Sequence, residues 1–542
     1  MENAANTSQT TQTRNRISRL SSFLVALALV SFAVTLFWLA KGKWPLGVAG
    51  EWQIKPNSGP WPAPAWGLPI AVLFIFGGLA AISAYDRFKR AKKEKEKRGS
   101  TRLCIIGLTI LAFAWPWSLL GPGGTTNLIS SQFSDISNEY FGTSYQIENP
   151  RQFSSEYSTK WQTPQSVTQA HVATHPPGAV LFYYFARKTY DATPFLQNSF
   201  SGIATALTSD SVETLAAQAN QSRTIAERSA GVKNPDPELP ISAVGAAMWC
   251  AFLISVLLAS CVPAIYFVAS LGGSESTPEA TGSADFNEAR GMIAASLFAL
   301  APVLSLYAFT LDALIACGAA WTLAFIALRL RGGKPVWLLA SGAMLGLTSF
   351  VSFGALAIGV IATIALLFAQ RRKSPRDILI FSGGFFLMWL ILTLIFPSNP
   401  LEIFRNAMSA HSFATVQSRS RGAWIGMNLV CYAVFCGWPI LWAACAGGFQ
   451  FFANLKNPQI AWSTPVIIGV AALLTMLLLT LSGGAKGEVE RLWLFLTPSL
   501  AALAASTLMQ RPHLPSIGVL LLLQAAQTLI MAAWLAPLVL PL

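Results

Sequence analysis

Apolar runs of about 20 residues, long enough to cross a lipid bilayer as helices, recur along the whole chain and constrain its fold more than any other feature. Thirteen can be counted, at approximately 22 to 40, 65 to 85, 103 to 121, 241 to 269, 291 to 307, 309 to 328, 335 to 352, 354 to 370, 378 to 397, 425 to 447, 463 to 482, 492 to 509 and 514 to 540. Only 11% of the residues are charged and 53% are hydrophobic, against about 25% and about 45–50% in soluble domains. A water-facing surface cannot be covered at that ratio. The expected fold is therefore all-α: a polytopic membrane bundle of about 13 transmembrane helices, with one long extracytoplasmic loop carrying short interfacial helices.

The formal charge of +13 would suit a nucleic-acid partner if it were spread over one surface, but its position argues otherwise. With a cytoplasmic N-terminus, the cytoplasmic segments hold 22 basic and 9 acidic residues and the opposite side holds 15 of each. The whole excess sits on one face, which is the positive-inside asymmetry of membrane proteins, and nucleic-acid binding has nothing left to explain. The expected location is a cytoplasmic membrane, with the N-terminus inside. The first apolar run follows Arg14, Arg16 and Arg19, is long, and lacks a small-x-small cleavage site, so it reads as an uncleaved span. The seven cysteines (Cys104, Cys250, Cys261, Cys317, Cys431, Cys436 and Cys445) lie in or beside apolar runs without a Cys-x-x-Cys pair, which supports neither a disulfide framework nor a zinc cluster.

Chemistry has few places to reside. The long loop, Gly121 to Pro240 (122–240 without the end of the third span), contains SSQFSDISNEYFG from Ser130 to Gly142. Phe133, Ile136, Tyr140 and Phe141 recur at helical spacing opposite Asp135, Asn138 and Glu139, which predicts a short amphipathic helix at the interface. Asp135 and Glu139, four residues apart, would share one face; a solvated polar face is the competing reading. Further on, His175-Pro176-Pro177-Gly178 precedes AVLFYYFARK. The prolines suit a helix entry, which would leave His175 beside amide donors that favour a phosphate, or as a solvated cap. His171 and His175 also make H-x-x-x-H, but Val172 replaces the glutamate of the zinc-protease pattern and Pro176 interrupts the helix, so a zinc site is rejected.

An acidic, aromatic-tailed helix after a span, followed by His-Pro-Pro leading into a second horizontal helix, resembles the first extracytoplasmic loop of the C superfamily (GT-C) of membrane glycosyltransferases, which includes protein O-mannosyltransferases and the bacterial aminoarabinose transferase. The resemblance spans roughly Arg102 to Gln510. It implies a polyprenyl-phosphate-linked sugar as donor, an acceptor glycan, lipid or protein, and an extracytoplasmic active site. It places Asp135 at the loop acid acting as base or acceptor-orienting group, and His175-Pro176-Pro177 at the element bordering the donor phosphate. The segment Tyr307-Ala-Phe-Thr-Leu-Asp312 is similar to the one that sets an Asp at the head of a span. The chain departs from the pattern in that its second acid, Glu139, lies four residues beyond Asp135 instead of adjacent to it. The first 101 residues are extra and read as a two-helix accessory module, leaving 102–542 as the GT-C-like core.

Glu488, Glu490 and Arg491 form a charged knot at the mouth of the twelfth span, and ionisable groups at a membrane boundary are functional candidates; a helix-end ion pair is the alternative. Arg405, His411, Arg419 and Arg421 make the preceding loop cationic, as a phosphate would require and as a solvated loop would also show. The expected reaction is inverting sugar transfer with Asp135 as base, Glu139 positioning it or joining it in holding Mg²⁺ or Ca²⁺, and His175 with Arg421 or Arg491 holding the phosphate. The rival classes are a polytopic transporter or lipid-linked sugar flippase, and a non-catalytic partner in envelope assembly. Transporters place ionisable residues near the bilayer midplane, whereas here Asp312 is the only acid with apolar segments on both sides, and it lies at a boundary.

Overall fold

In a computed structural model the described residues are 2–41, 46–54, 70–71, 94–162, 170–229, 231, 236–271, 284–369, 374–413, 417, 419–455, 462–510 and 512–535. Among them, eight helices are long and apolar enough to cross a membrane, and a ninth if the bent pair Arg421–Cys436 and Trp438–Ala453 counts as one span. The all-α membrane architecture holds; the count of thirteen is not confirmed. The expected span at 65 to 85 lies outside the described residues apart from 70–71. The runs at 335 to 352 and 354 to 370 form the shorter helices Val336–Val351 and Phe353–Ala369.

Two other runs are interrupted for local reasons. Within 291 to 307, the helix Ala284–Ala299 stops and Pro302–Leu306 begins anew. Ala301 is extended (φ −68°, ψ 132°) because the residue before a proline is driven out of the helical region. Within 425 to 447, the helix breaks at Gly437 and turns by 115°. Gly437 adopts φ 96°, and Pro439 follows. The backbone groups freed by the break find partners on the last helix, Leu514–Trp534. Gln524 Nε2 donates to Cys436 O (2.9 Å), Gln527 Nε2 donates to Val434 O (2.6 Å), and Gln527 Oε1 accepts the Trp438 N–H (3.2 Å). Without such partners each orphaned group would be costly in an apolar interior.

Charged and polar side chains gather at two ends of the bundle. At one end, Gln162 Nε2 donates to Ile403 O (3.1 Å), Asn406 Nδ2 to Ser158 O (3.1 Å) and His411 Nε2 to Gly484 O (2.7 Å). The described parts of the segments 134–240, 398–424 and 483–491 therefore meet, and this is the loop-domain end. At the opposite end Thr101 donates to Glu288 (2.8 Å), Arg290 Nε to Ala269 O (2.6 Å), and Arg329 pairs with Asp377 (2.9 Å).

The N-terminal helix Glu2–Lys41 lies against the bent pair, where Trp438 and Trp442 donate their indole N–H groups to Thr35 (2.9 Å) and Ser31 (3.0 Å). An antiparallel hairpin follows, Leu46–Val48 with Trp52–Ile54. The boundary expected at residue 101 falls inside the continuous helix Glu94–Phe133. That helix also runs past Gly121, the expected start of the long loop, and buries Leu128, Ile129 and Phe133.

Candidate functional site

Ser134 ends this helix and caps the next, Asp135–Tyr145: its backbone is extended and its Oγ accepts the N–H groups of Ile136 and Ser137, both at 3.2 Å. The capped start sets Asp135 at the helix N-terminus, where a carboxylate is favoured. The competing reading of a solvated polar face is not what the structure has. Asp135, Asn138 and Glu139 are buried, as are Phe133, Tyr140 and Phe141. Asn138 leaves helical geometry (φ −149°, ψ 65°) while its Nδ2 donates to Gln132 Oε1 (2.6 Å). This kink between the two acids breaks the regular four-residue repeat, and they turn to different partners.

Asp135 turns to Arg223 on the helix Val212–Ser229. Arg223 Nη2 and Nε both donate to Asp135 Oδ2, at 2.6 and 2.9 Å. The same guanidinium reaches Asp236 (3.2 Å), Glu227 (3.1 Å) and Pro237 O (2.9 Å). The other oxygen, Oδ1, lies so close to Gly142 that a Cβ there would come within 2.6 Å of it. Burial and a hydrogen bond with Glu227 raise the Asp135 carboxyl to about 7 against the opposing pull of Arg223. Among the described residues, the acids spaced to share a cation are Asp135, Glu227 and Asp236, with ligand atoms within 4.8 Å of one another; the expected partner Glu139 is not of this group. Arg223 already supplies a positive charge to all three.

Glu139 turns to the short helix Ala170–Thr174. Its Oε2 accepts the Val172 N–H (2.9 Å), and burial pushes its carboxyl well above the usual range. The segment brings two imidazoles to the Asp135–Tyr145 helix. His171 Nε2 lies 2.9 Å from Ile136 O, and His175 Nδ1 lies 3.0 Å from His171 O. A carbonyl only accepts, so each of these nitrogens carries the hydrogen and the other ring nitrogen carries the lone pair. Burial lowers both imidazoles: His171 also feels Arg491, and His175 falls to about 3 with His171 as the next cause. Both are neutral near pH 7 and present acceptors. His175 as it stands is thus a poor cation for a phosphate. The helix entry expected after His-Pro-Pro is found, with the helix Gly178–Asp191 starting at Gly178.

The third part comes from the core. Asp312 opens the helix Asp312–Leu330 and accepts from Arg491 Nη1 (3.1 Å). Arg491 Nη2 pairs with Glu488, whose Oε1 also takes Arg419 Nη2 (3.1 Å). Burial would raise Glu488, but Arg491 and Arg419 prevail and hold it at about 2. Asn428 pins the 483–491 loop from both sides, donating to Ala485 O (2.8 Å) and accepting from the Gly487 N–H (3.1 Å). Arg421 stays outside this chain of charges: it is exposed and donates to Leu481 O (2.7 Å). Glu490 is buried, with Oε2 unbonded. Arg405 is exposed.

These parts converge incompletely on the expected set. Tyr140 lies 5.4 Å from the His175 ring and 6.2 Å from His171, and it feels the charges of Glu139, Asp312 and Arg491. His171 feels Arg491, Glu488 and Asp312, while His175 feels Arg491 and His411. Glu139, His171, His175, Asp312, Glu488 and Arg491 thus share one electrostatic neighbourhood. Asp135 is committed to Arg223, and Arg421 points elsewhere.

Sequence reading missed Arg223, Glu227 and Asp236. The four-residue spacing of Arg223 and Glu227 was the available signal. It also missed Glu51 of the hairpin, which accepts the Ser420 N–H (3.0 Å to each oxygen) and the Trp424 indole N–H (2.6 Å). No sequence signal links positions that far apart. No protein-family model matches the chain, and no curated protein matches it significantly.

Proposed function

We propose that the chain is a membrane glycosyltransferase that moves a sugar from a polyprenyl-phosphate donor to an acceptor at the loop-domain end of the bundle. In this reading that end is extracytoplasmic, the N-terminus is cytoplasmic, and the charge asymmetry of the sequence supports both. The observation that carries it is that two proton-accepting imidazoles lie within electrostatic reach of a guanidinium at the head of apolar helices. His171 and His175 both feel the charge of Arg491, which pairs with Asp312 and Glu488.

Sugar transfer needs a proton acceptor for the incoming hydroxyl and positive charge for the departing lipid phosphate. The two carboxylates orient Arg491, and a donor phosphate would share or displace their hydrogen bonds. The acidic trio around Arg223 is assigned a structural role, because a guanidinium already bridges it. The proposed reaction therefore routes no step through Mg²⁺ or Ca²⁺. Inversion at the anomeric carbon follows from a single displacement.

The purified chain in detergent, titrated with polyprenyl phosphate alone, tests this independently of the sugar. The lipid is expected to raise the thermal unfolding midpoint of wild type and of Arg421→Gln but not of Arg491→Gln. Membranes should also transfer label from polyprenyl-phosphate mannose or aminoarabinose into host material. Absence of lipid-phosphate binding at saturation overturns the reading.

A transporter or flippase is the second reading, favoured by the broken helix at Gly437, since discontinuous helices form many transporter sites. Against it, the break is closed by Gln524 and Gln527 and carries no acidic or basic side chain. Uptake of a labelled lipid-linked sugar into sealed vesicles without a transfer product would favour transport.

A further inference from the structure

If the transfer reading holds, the identity of its proton acceptor is decided by which side chains are still open to a ligand. Asp135 is not. One of its oxygens takes two hydrogen bonds from Arg223 and the other is pressed against Gly142. Glu139 is buried and spends Oε2 on the Val172 N–H.

His171 differs in three respects. Its Nε2–H is fixed on the Ile136 carbonyl at 2.9 Å, which sets both the tautomer and the plane of the ring. Its Nδ1 lone pair has no hydrogen-bond partner among the described residues. The residue as a whole is half-buried, not sealed. The charged and titratable groups around it come from every neighbouring element: Glu139 and Tyr140 from the Asp135–Tyr145 helix, His175 from its own segment, and Asp312, Glu488 and Arg491 from the core, with His411 close to His175.

We propose that His171 is the catalytic base of the transfer, and that Glu139 and Asp135 are positioning residues. Glu139 anchors the helix that carries His171, and Asp135 fixes the start of the helix whose Ile136 carbonyl orients the ring. In the step itself, Nδ1 takes the acceptor hydroxyl proton while the acceptor oxygen bonds to the anomeric carbon. The bond from that carbon to the phosphate oxygen breaks, and its electron pair leaves with the lipid phosphate, opposite Arg491. The imidazolium proton then passes to solvent.

This assignment rests on the glycosyltransferase reading, and the experiment separates the two. His171→Gln and His171→Asn, each able to keep a hydrogen bond to Ile136 O, are assayed in membranes with the labelled donor that wild type consumes. Polyprenyl-phosphate binding by the purified variants serves as the folding control. The expected result is a fall in kcat of about 10²- to 10⁴-fold, the usual contribution of a general base, with lipid-phosphate binding retained. The wild-type rate should fall on acidification through a step below the usual imidazole range, because burial favours the neutral ring. That step should vanish in the variants, and added imidazole should restore part of the rate of His171→Ala. Variants within threefold of wild type, with the acid step unchanged, overturn the role of His171 while leaving the transferase reading intact. Failure of wild type itself to bind polyprenyl phosphate or transfer sugar overturns that reading instead.

Discussion

Arg223 touches three carboxylates and a carbonyl while almost wholly buried, so the cluster is not symmetric in its members. Removing the single cation leaves three acids close together with no compensation, whereas removing one acid leaves the cation paired. Arg223→Ala is expected to cost roughly 3–5 kcal/mol, the range for breaking a buried ion pair from one side. Asp135→Asn should cost clearly less; denaturant unfolding, or limited proteolysis of the 134–240 segment, orders the two. The pH dependence has a definite sign. The folded-state value of Asp135, raised to about 7, lies above its unfolded value. Its contribution is full below about pH 4 and is lost as pH rises towards 7. Asp135→Asn should flatten that slope, and an unchanged slope would assign the proton elsewhere. The sequence made Asp135 and Glu139 visible as acids in an otherwise apolar, aromatic stretch. It could not show the Asn138 kink that separates them, which depends on Gln132 and on the helices that bury both faces.

The bent pair shows how an element can look continuous in a sequence and be broken in space. Hydropathy along 425 to 447 is uniform, and what interrupts it is conformational: one glycine with positive φ and a proline two residues on. Those two residues are a legible breaker signal. The glutamines that make the break tolerable lie some 90 residues later, and nothing local announces them. A Cβ at Gly437 would come within 2.1 Å of Gln524 Nε2, at a φ that L residues rarely adopt. Gly437→Ala is therefore expected to lower stability by roughly 1–3 kcal/mol from backbone strain alone, and by more if Gln524 cannot move. Gln527→Ala strands the Val434 carbonyl and the Trp438 N–H, at roughly 1–3 kcal/mol. Thermal unfolding in detergent reads both. If Gln527→Ala is neutral, water satisfies the break and the glutamine is dispensable. By contrast, the helix start after His175-Pro176-Pro177 was readable, because proline's restriction acts on its own backbone.

Over the whole molecule the strongest regularity is that side chains expected on one side of the membrane contact one another, and so do those expected on the other. The described parts of segments 134–240, 398–424 and 483–491 share hydrogen bonds at one end; Thr101 with Glu288, Arg290 with Ala269 and Arg329 with Asp377 pair at the opposite end. This grouping is legible because a Lys or Arg must leave the hydrocarbon wherever the chain emerges, so punctuation by charge records topology even where helix length does not. The number of spans was less legible, since a run shortened by a proline or a bend keeps its hydropathy. The N-terminal hairpin was not legible at all as a neighbour of the site, yet Glu51 grips Ser420 and Trp424 beside Arg419, itself bonded to Glu488. Which end faces outward is proposed from the charge asymmetry alone, and it has a direct test. Lys188 is exposed on the loop domain and Arg331 is exposed at the other end, while the native cysteines described are buried or half-buried. In intact cells, Lys188→Cys is expected to react with a membrane-impermeant maleimide and Arg331→Cys only after permeabilisation. The reverse pattern would put the imidazoles and Arg491 in the cytoplasm. The donor would then have to present its phosphate on that side, and the positive-inside argument would fail for this chain despite the one-sided excess of its basic residues.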